Sequence, residues 1–168
     1  MTAPFHSCLY CPLERAPERL VIEGLRLWMA GYETLDVACW DQAWTLFAKE
    51  LGGREGRRAF GEFIHWAKTL RTVSPSGLNV FPCRCRRLSV DEFHAAAMIA
   101  ALHNNAPKQA RASAYALAGP GGLNAANEAA TSFADVLQEL NQRLMPFPES
   151  VDLGDAPHMA KALSAQHH

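Results

Sequence analysis

The chain is short of net charge, long apolar runs and targeting signals. It has 168 residues with 16 Lys or Arg and 17 Asp or Glu, so its formal charge is −1. This balance argues against nucleic acid as a partner, because a general nucleic-acid binder usually carries a net basic surface. No apolar run approaches the roughly 20 residues of a membrane-spanning helix, and residues 1–6 lack the charged and apolar regions of a secretory signal. The sequence therefore predicts a cytoplasmic protein with no membrane partner.

The sequence also lacks the short motifs that mark common catalytic sites. It has no nucleophile elbow, phosphate-binding loop, dinucleotide fingerprint or zinc-protease helix. Glu62 and His65 form one Glu-x-x-His motif, but a di-iron bundle needs two such motifs and two further Glu residues. His65 is therefore expected to be a partly buried or surface histidine. Nothing in these patterns supports enzymatic activity.

Strand-like alternation is scarce, whereas helical periodicity covers most of the chain. The cleanest apolar stripe has steps of three and four residues, which place all its members on one helix face: Val37, Trp40, Trp44, Phe47 and Leu51. Similar stripes, proline starts and glycine stops predict six helices. Their approximate ranges are 17–31, 36–52, 54–71, 89–104, 107–119 and 123–144.

These helices predict an all-α, single-domain bundle of antiparallel hairpins. We expect an N-terminal arm at residues 1–15, the helical domain at 16–145 and a C-terminal tail of uncertain order at 146–168. One irregular loop, at about residues 72–88, is long for a compact domain, and loops of this length are usually functional, bound to something or disordered. Ser89 and Glu92 then form a capping-box pattern that starts the next helix.

The cysteines are the most informative residues, because four of the five form two close pairs: Cys8 with Cys11, and Cys83 with Cys85. Zinc prefers four thiolate or imidazole ligands in structural sites, and residues i and i+2 of an extended stretch face the same way. These four residues therefore predict a four-cysteine zinc site that ties the arm to the long loop, although the C-x-C spacing is not that of zinc ribbons. His6 could replace one of the thiolates.

Two other interpretations of the same cysteines stay open. Cys83 and Cys85 lie among Arg84, Arg86 and Arg87, just before a helix N-terminus, and both features lower the pKa of a thiol. They could therefore serve as reactive, redox-active thiols. Alternatively all four are unligated thiols that pack as small apolar residues, which is also the role expected for Cys39 in a helix core.

Two further clusters are candidates for binding. The three arginines of the loop could form an anion site at the next helix N-terminus, but Ser89, Asp91 and Glu92 already complement that end, so a solvated basic loop is favoured. The tryptophans could line a ligand pocket, but aromatic residues at helical spacing are more often core residues. They are Trp28, Trp40, Trp44 and Trp66.

The sequence thus leads to three functional hypotheses. The first is a non-enzymatic helical binding or regulatory protein with a structural zinc ion, whose partner is an unidentified protein or small molecule. The second is a redox-active thiol protein or small enzyme that uses Cys83 or Cys85. The third is a metal-free helical interaction module that forms a homodimer through an exposed apolar face.

Overall fold

The computed structural model describes residues 11–147, and this part of the chain is an all-α bundle without strands. This confirms the predicted fold class. A single 3-10 turn, Pro12–Glu14, precedes the first helix. The five helices are α1 (Ala16–Thr34), α2 (Val37–Leu51), α3 (Gly53–Val73), α4 (Val90–His103) and α5 (Pro107–Glu139).

Helix α5 contains the break that the sequence predicts, so five elements replace the six expected helices. Gly119 has φ 67° and ψ −174°, a conformation that glycine adopts without a steric penalty. The predicted restart at Leu123 is wrong, because helical geometry resumes directly after Gly119 with Pro120 in the first turn. Proline suits that position since its missing N–H would have no helical partner there.

Helices α3 and α4 pack against α5, while α2 packs between α1 and α3. The centre of the core is aromatic: the ring of Phe63 lies 5.0 Å from that of Phe47 and 5.8 Å from that of Phe133, between centroids. Trp66 packs on Phe133 at 5.3 Å. All four are fully buried, and burial of each such side chain stabilises the fold by about 1.5–3 kcal/mol. Small side chains fill the α4–α5 contact: Ala95, Ala96, Ala100, Ala110 and Ala114.

The apolar stripe of α2 is less buried than its spacing predicts. Phe47 is fully buried, but Val37 at the first helical position is 60 % exposed. Trp40 instead covers α1, where its indole Nε1 donates to the carbonyl of Trp28 at 3.1 Å. A Cβ on Gly31 would lie 2.3 Å from that Nε1, so this close approach requires glycine.

The tryptophans take core or core-edge positions. Trp28 and Trp66 are buried, and Trp40 and Trp44 are half-buried against aromatic neighbours. None of the four lines the clefts described below. The core interpretation therefore fits the structure. Cys39, in contrast, is half-buried on α2 and its Sγ lies 4.0 Å from the Thr34 hydroxyl, so its predicted place in the core is wrong.

A buried histidine joins the C-terminal end of the bundle. His103 is 2 % exposed, its Nε2 is 2.7 Å from the carbonyl oxygen of Ala134, and its Nδ1 lies 3.0 Å from the amide nitrogen of Leu144. An amide can only donate, so Nδ1 accepts and Nε2–H donates, which is the neutral tautomer. Burial lowers the pKa of His103, and the charge of Arg143 lowers it further. The hydrogen bond to Ala134 and the charges of Asp135 and Glu18 raise the pKa, but the net shift is downward.

Candidate functional site: a cleft between two helices and the long loop

The long loop comprises residues 74–89 and is anchored to the core by one side chain, Arg26. The guanidinium is fully buried and uses all five of its N–H donors. Nε and Nη2 donate to the two carboxylate oxygens of Glu92 at 2.7 and 3.0 Å, and Nη1 donates to Glu23 at 2.9 Å. The other two bonds, both 2.7 Å, go to the loop carbonyls of Cys85 and Arg87.

Glu92 extends the anchor to the loop backbone. Its carboxylate accepts from the amides of Phe81 at 2.7 Å and Ser89 at 2.9 Å, while its own amide donates to the Ser89 hydroxyl at 3.0 Å. The predicted capping box is thus confirmed. Burial lowers the pKa of Arg26, but the hydrogen bond to Glu92 together with the charges of Glu92, Glu23 and Cys85 outweighs burial, so that the pKa is raised. The loop therefore has a protein anchor that needs no metal.

The anchored loop forms one wall of a cleft whose other walls are α1 and α2. The cleft volume is about 510 Å³, within the usual range for ligand pockets. Apolar side chains line part of it: Leu13, Leu27 and Leu46. Six other lining side chains are charged, four cations and two carboxylates among the described residues: Arg19, Lys49, Arg84, Arg86, Glu14 and Glu23. The remaining four are Cys11, Gln42, Thr45 and Cys83.

Two of the four cysteines predicted to bind zinc line this cleft. Cys11 and Cys83 both line it, whereas Cys85 does not and instead offers its carbonyl to Arg26. Cys8 lies outside the described residues. Within residues 11–147, no three His, Cys, Asp or Glu side chains are grouped closely enough to hold a metal ion. The four-cysteine zinc site, which needs Cys8, stays a prediction.

The loop backbone differs from the extended stretch expected around the C-x-C pair. The amide of Cys85 donates to the carbonyl of Pro82 at 3.2 Å, and Arg84 between them has φ 68°, so residues 82–85 form a turn. The side chains of Cys83 and Cys85 therefore do not share one face in the manner of a strand. A positive φ is uncommon for arginine and costs energy, which the Arg84 amide offsets by donating to Glu23 at 3.2 Å.

The pKa of the Cys83 thiol is raised, whereas its basic neighbours predict a lowered value. Desolvation, together with the charge of Glu23 and a hydrogen bond to it, raises the pKa of Cys83 to about 11, against an opposing effect of Arg26. The prediction of a lowered pKa at this position is wrong, because desolvation and the Glu23 carboxylate outweigh the nearby positive charge. Since the thiolate is the reactive form, this environment argues against Cys83 as the reactive thiol of the redox hypothesis.

Two smaller clefts lie elsewhere. One, of about 340 Å³, lies between α4 and α5 beside His94, whose pKa is lowered by burial. The other, of about 390 Å³, lies beside Tyr32 and Arg71, whose guanidinium stacks 4.0 Å from the tyrosine ring centroid. His65 is exposed on α3, so the lone Glu-x-x-His motif faces solvent. Among residues 11–147, no helix is both long and apolar enough to cross a membrane.

The sequence interpretation missed Arg26, Glu23 and Glu92 as the residues that build the cleft. A signal for Arg26 is present, since it follows Ile22 by four residues and precedes Met29 by three, within an otherwise buried helix face. A charged residue at such a position requires a buried partner.

Comparison of the chain with protein-family models, curated proteins and solved structures found no match.

Proposed function

We propose that this protein is a helical binding protein that takes a small molecule in the cleft between α1, α2 and the 74–89 loop. The observation that carries the proposal is the composition of the cleft. It combines an apolar part with charged groups from all three walls, and polar groups beside apolar surface are what fix a ligand's orientation in binding sites. This composition supports a non-enzymatic binding role at this cleft.

The anchor beneath the loop supports the same proposal. A wall that is already ordered favours binding, because ordering a loose loop on binding lowers the affinity. Arg26 fixes two loop carbonyls, and Glu92 fixes two loop amides. Arg84, Arg86 and Cys83 therefore line the cleft from a loop with a fixed backbone.

An NMR titration tests whether the cleft binds small molecules at all. The probes are benzoate, phenyl phosphate, benzylamine and benzyl alcohol, which share one ring and differ in charge. We expect at least one of them to shift the amides of residues 42–49 and 83–86 more than those beside the two smaller clefts. Shifts that cluster beside His94, or nowhere, would contradict the proposal.

Two matched variants make this test specific. Thr45 is exposed on the cleft wall and its hydroxyl donates only to a helix carbonyl, that of Asp41. Thr72 has the same exposure and the same kind of bond, to Lys68, but lies on α3 away from the cleft. Thr45→Trp should fill the cleft and abolish the shifts, whereas Thr72→Trp should keep them.

The structural zinc ion is a separate part of the proposal with its own measurement. Elemental mass spectrometry and a free-thiol count on the same tag-free sample decide it. About one zinc per chain with four protected thiols would support a site built from Cys8, Cys11, Cys83 and Cys85. Five titratable thiols without metal would remove zinc and leave the cleft as the binding site.

A second candidate function is the metal-free interaction module that dimerises. The observation in its favour is the exposure of two apolar side chains at the α1–α2 corner, with Leu35 85 % and Val37 60 % exposed. Sedimentation velocity over a range of concentrations tests it. A dimer that dissociates in the double variant Leu35→Ser, Val37→Ser would support this candidate, and a wild-type monomer at all concentrations would exclude it.

A further inference from the structure

We infer that the ligand of the cleft is an anion, a carboxylate or a phosphate monoester, carried on a short apolar chain. The inference rests on the proposed binding function and names the ligand class for the same site. Its basis is a leucine-lined wall beside three cations that form no salt bridge within residues 11–147, two of them on the anchored loop and one on α2.

Some of the charged side chains that line the cleft already have partners within the protein, whereas others form no salt bridge in the described chain. Glu23 is engaged by Arg26, by the amide of Arg84 and by the thiol of Cys83. Arg19 is likewise engaged by Glu50 at 3.2 Å. Lys49, Arg84 and Arg86 form no salt bridge with any carboxylate of the described chain. The charge that a ligand meets is therefore predominantly positive, with the exposed Glu14 as its counterpart.

The backbone at Arg84 gives a second, independent reason to assign a role to that side chain. Its φ of 68° lies in the region where glycine is favoured, and its position in the turn is the one where type II turns select glycine. Strained residues of this kind cluster at binding and active sites, although the amide bond to Glu23 also holds this one in place. The guanidinium of Arg84 is exposed at the cleft and suits bidentate binding of carboxylate or phosphate.

The apolar wall defines the remainder of the ligand. Leu27 and Leu46 are half-buried on facing helices, and Leu13 approaches from the turn before α1. Together they offer a surface that a simple inorganic anion would leave uncovered. An attached hydrocarbon chain would cover it, with a favourable contribution that grows with the apolar area removed from water.

A matched series of eight-carbon probes tests the inference: octanoate, octyl phosphate, 1-octanol and octylamine, with acetate and inorganic phosphate as headgroups alone. We expect octanoate or octyl phosphate to bind about tenfold more tightly than octanol, octylamine or either free headgroup, as measured by amide shifts of residues 42–49 and 83–86. The binding should weaken as salt is added, because exposed charges are screened.

Charge-neutral variants then assign the headgroup contacts. Lys49→Gln and Arg84→Gln should each weaken the anionic probe by about two- to fivefold, the range of exposed ion pairs, and should leave octanol unchanged. Lys68→Gln removes an equally exposed cation from α3 and serves as the control. Circular dichroism of each variant establishes that it is folded before its affinity is compared.

The outcomes separate this inference from the proposed function. Octanol or octylamine that binds in the cleft as tightly as the anions would overturn the anion assignment and leave a binding protein. Anion binding that survives Thr45→Trp, Lys49→Gln and Arg84→Gln would overturn it as well, because the anion then binds elsewhere. If no probe of either series binds, both the inference and the proposed function fail.

Discussion

Removal of the Arg26 guanidinium is the change that most directly tests whether this side chain anchors the loop. In Arg26→Met, the buried carboxylate of Glu92 loses both of its guanidinium bonds, and the carbonyls of Cys85 and Arg87 lose theirs. A charge that is left buried without its partner costs about 3–5 kcal/mol. Domains are stable by only about 5–15 kcal/mol in total, so the expected loss is a large fraction of the stability.

The measurement is urea unfolding followed by circular dichroism, combined with limited trypsin digestion. We expect the free energy of unfolding of Arg26→Met to fall by about 3–5 kcal/mol, and trypsin to cut the loop at Arg84, Arg86 or Arg87 much faster than in the wild type. Arg26→Lys should also be destabilised, since an ammonium has three N–H donors for the five acceptors that the guanidinium serves.

The exposed ion pair between Arg58 and Glu139 provides the control. Both side chains are about half-exposed, at 50 % and 56 %, so Arg58→Met should cost less than about 1 kcal/mol. A loss below that size for Arg26→Met as well, with unchanged trypsin resistance of the loop, would refute the reasoning that Arg26 anchors it.

Three further predictions follow from the fold and the cleft. The lowered pKa of the buried His103 means that the unfolded state takes up a proton first as the pH falls, so this contribution to stability should be complete above about pH 6.5 and decline below it, by at most about 1.4 kcal/mol per pH unit. In acid unfolding, the variant His103→Gln, which keeps a donor and an acceptor, should lack this contribution. A pH profile identical to that of the wild type would contradict the prediction. Gly31→Ala should destabilise the protein by about 1–3 kcal/mol, because its Cβ would overlap the Trp40 indole. Gly61→Ala, at an open helical position, should instead stabilise it by about 0.5–1 kcal/mol. Chemical denaturation gives the free energy of unfolding of both variants, and equal effects would refute the clash. The raised pKa of Cys83 predicts slow alkylation at pH 8 that accelerates toward pH 11, and Glu23→Gln should speed the reaction at pH 8. Mass spectrometry gives the alkylation rate of each cysteine. The prediction fails if Cys83 is alkylated faster than every other cysteine of the wild type.

Local features of this fold are readable in the sequence. Ser89 and Glu92 are three residues apart, and the capping box that they form depends on that spacing alone. The break at Gly119 is equally local, because proline disfavours helical geometry at the residue before it. The all-α class follows from the same kind of information, repeated along the chain.

The residues that build the cleft are not readable in this way. Arg26 and Glu92 are 66 positions apart, and no local pattern specifies which buried carboxylate a buried arginine will meet. The turn at Arg84 depends on the amide bond to Glu23, a contact across 61 positions. That same carboxylate helps to raise the pKa of Cys83, so the neighbouring arginines alone predict the wrong direction for it.

Helix α2 buries fewer side chains than α1 or α4, and this has a consequence for its dynamics. Its fully buried side chains are those of Ala43 and Phe47, while the loop wall is tied to the core by Arg26. Segments with few buried apolar contacts open locally at less free energy than global unfolding requires. The amides of α2 should therefore exchange with deuterated water sooner than those of α4. A ligand that bridges both walls would slow this exchange by a factor of 1 + [L]/Kd, so α2 would report occupancy of the cleft before any partner is identified.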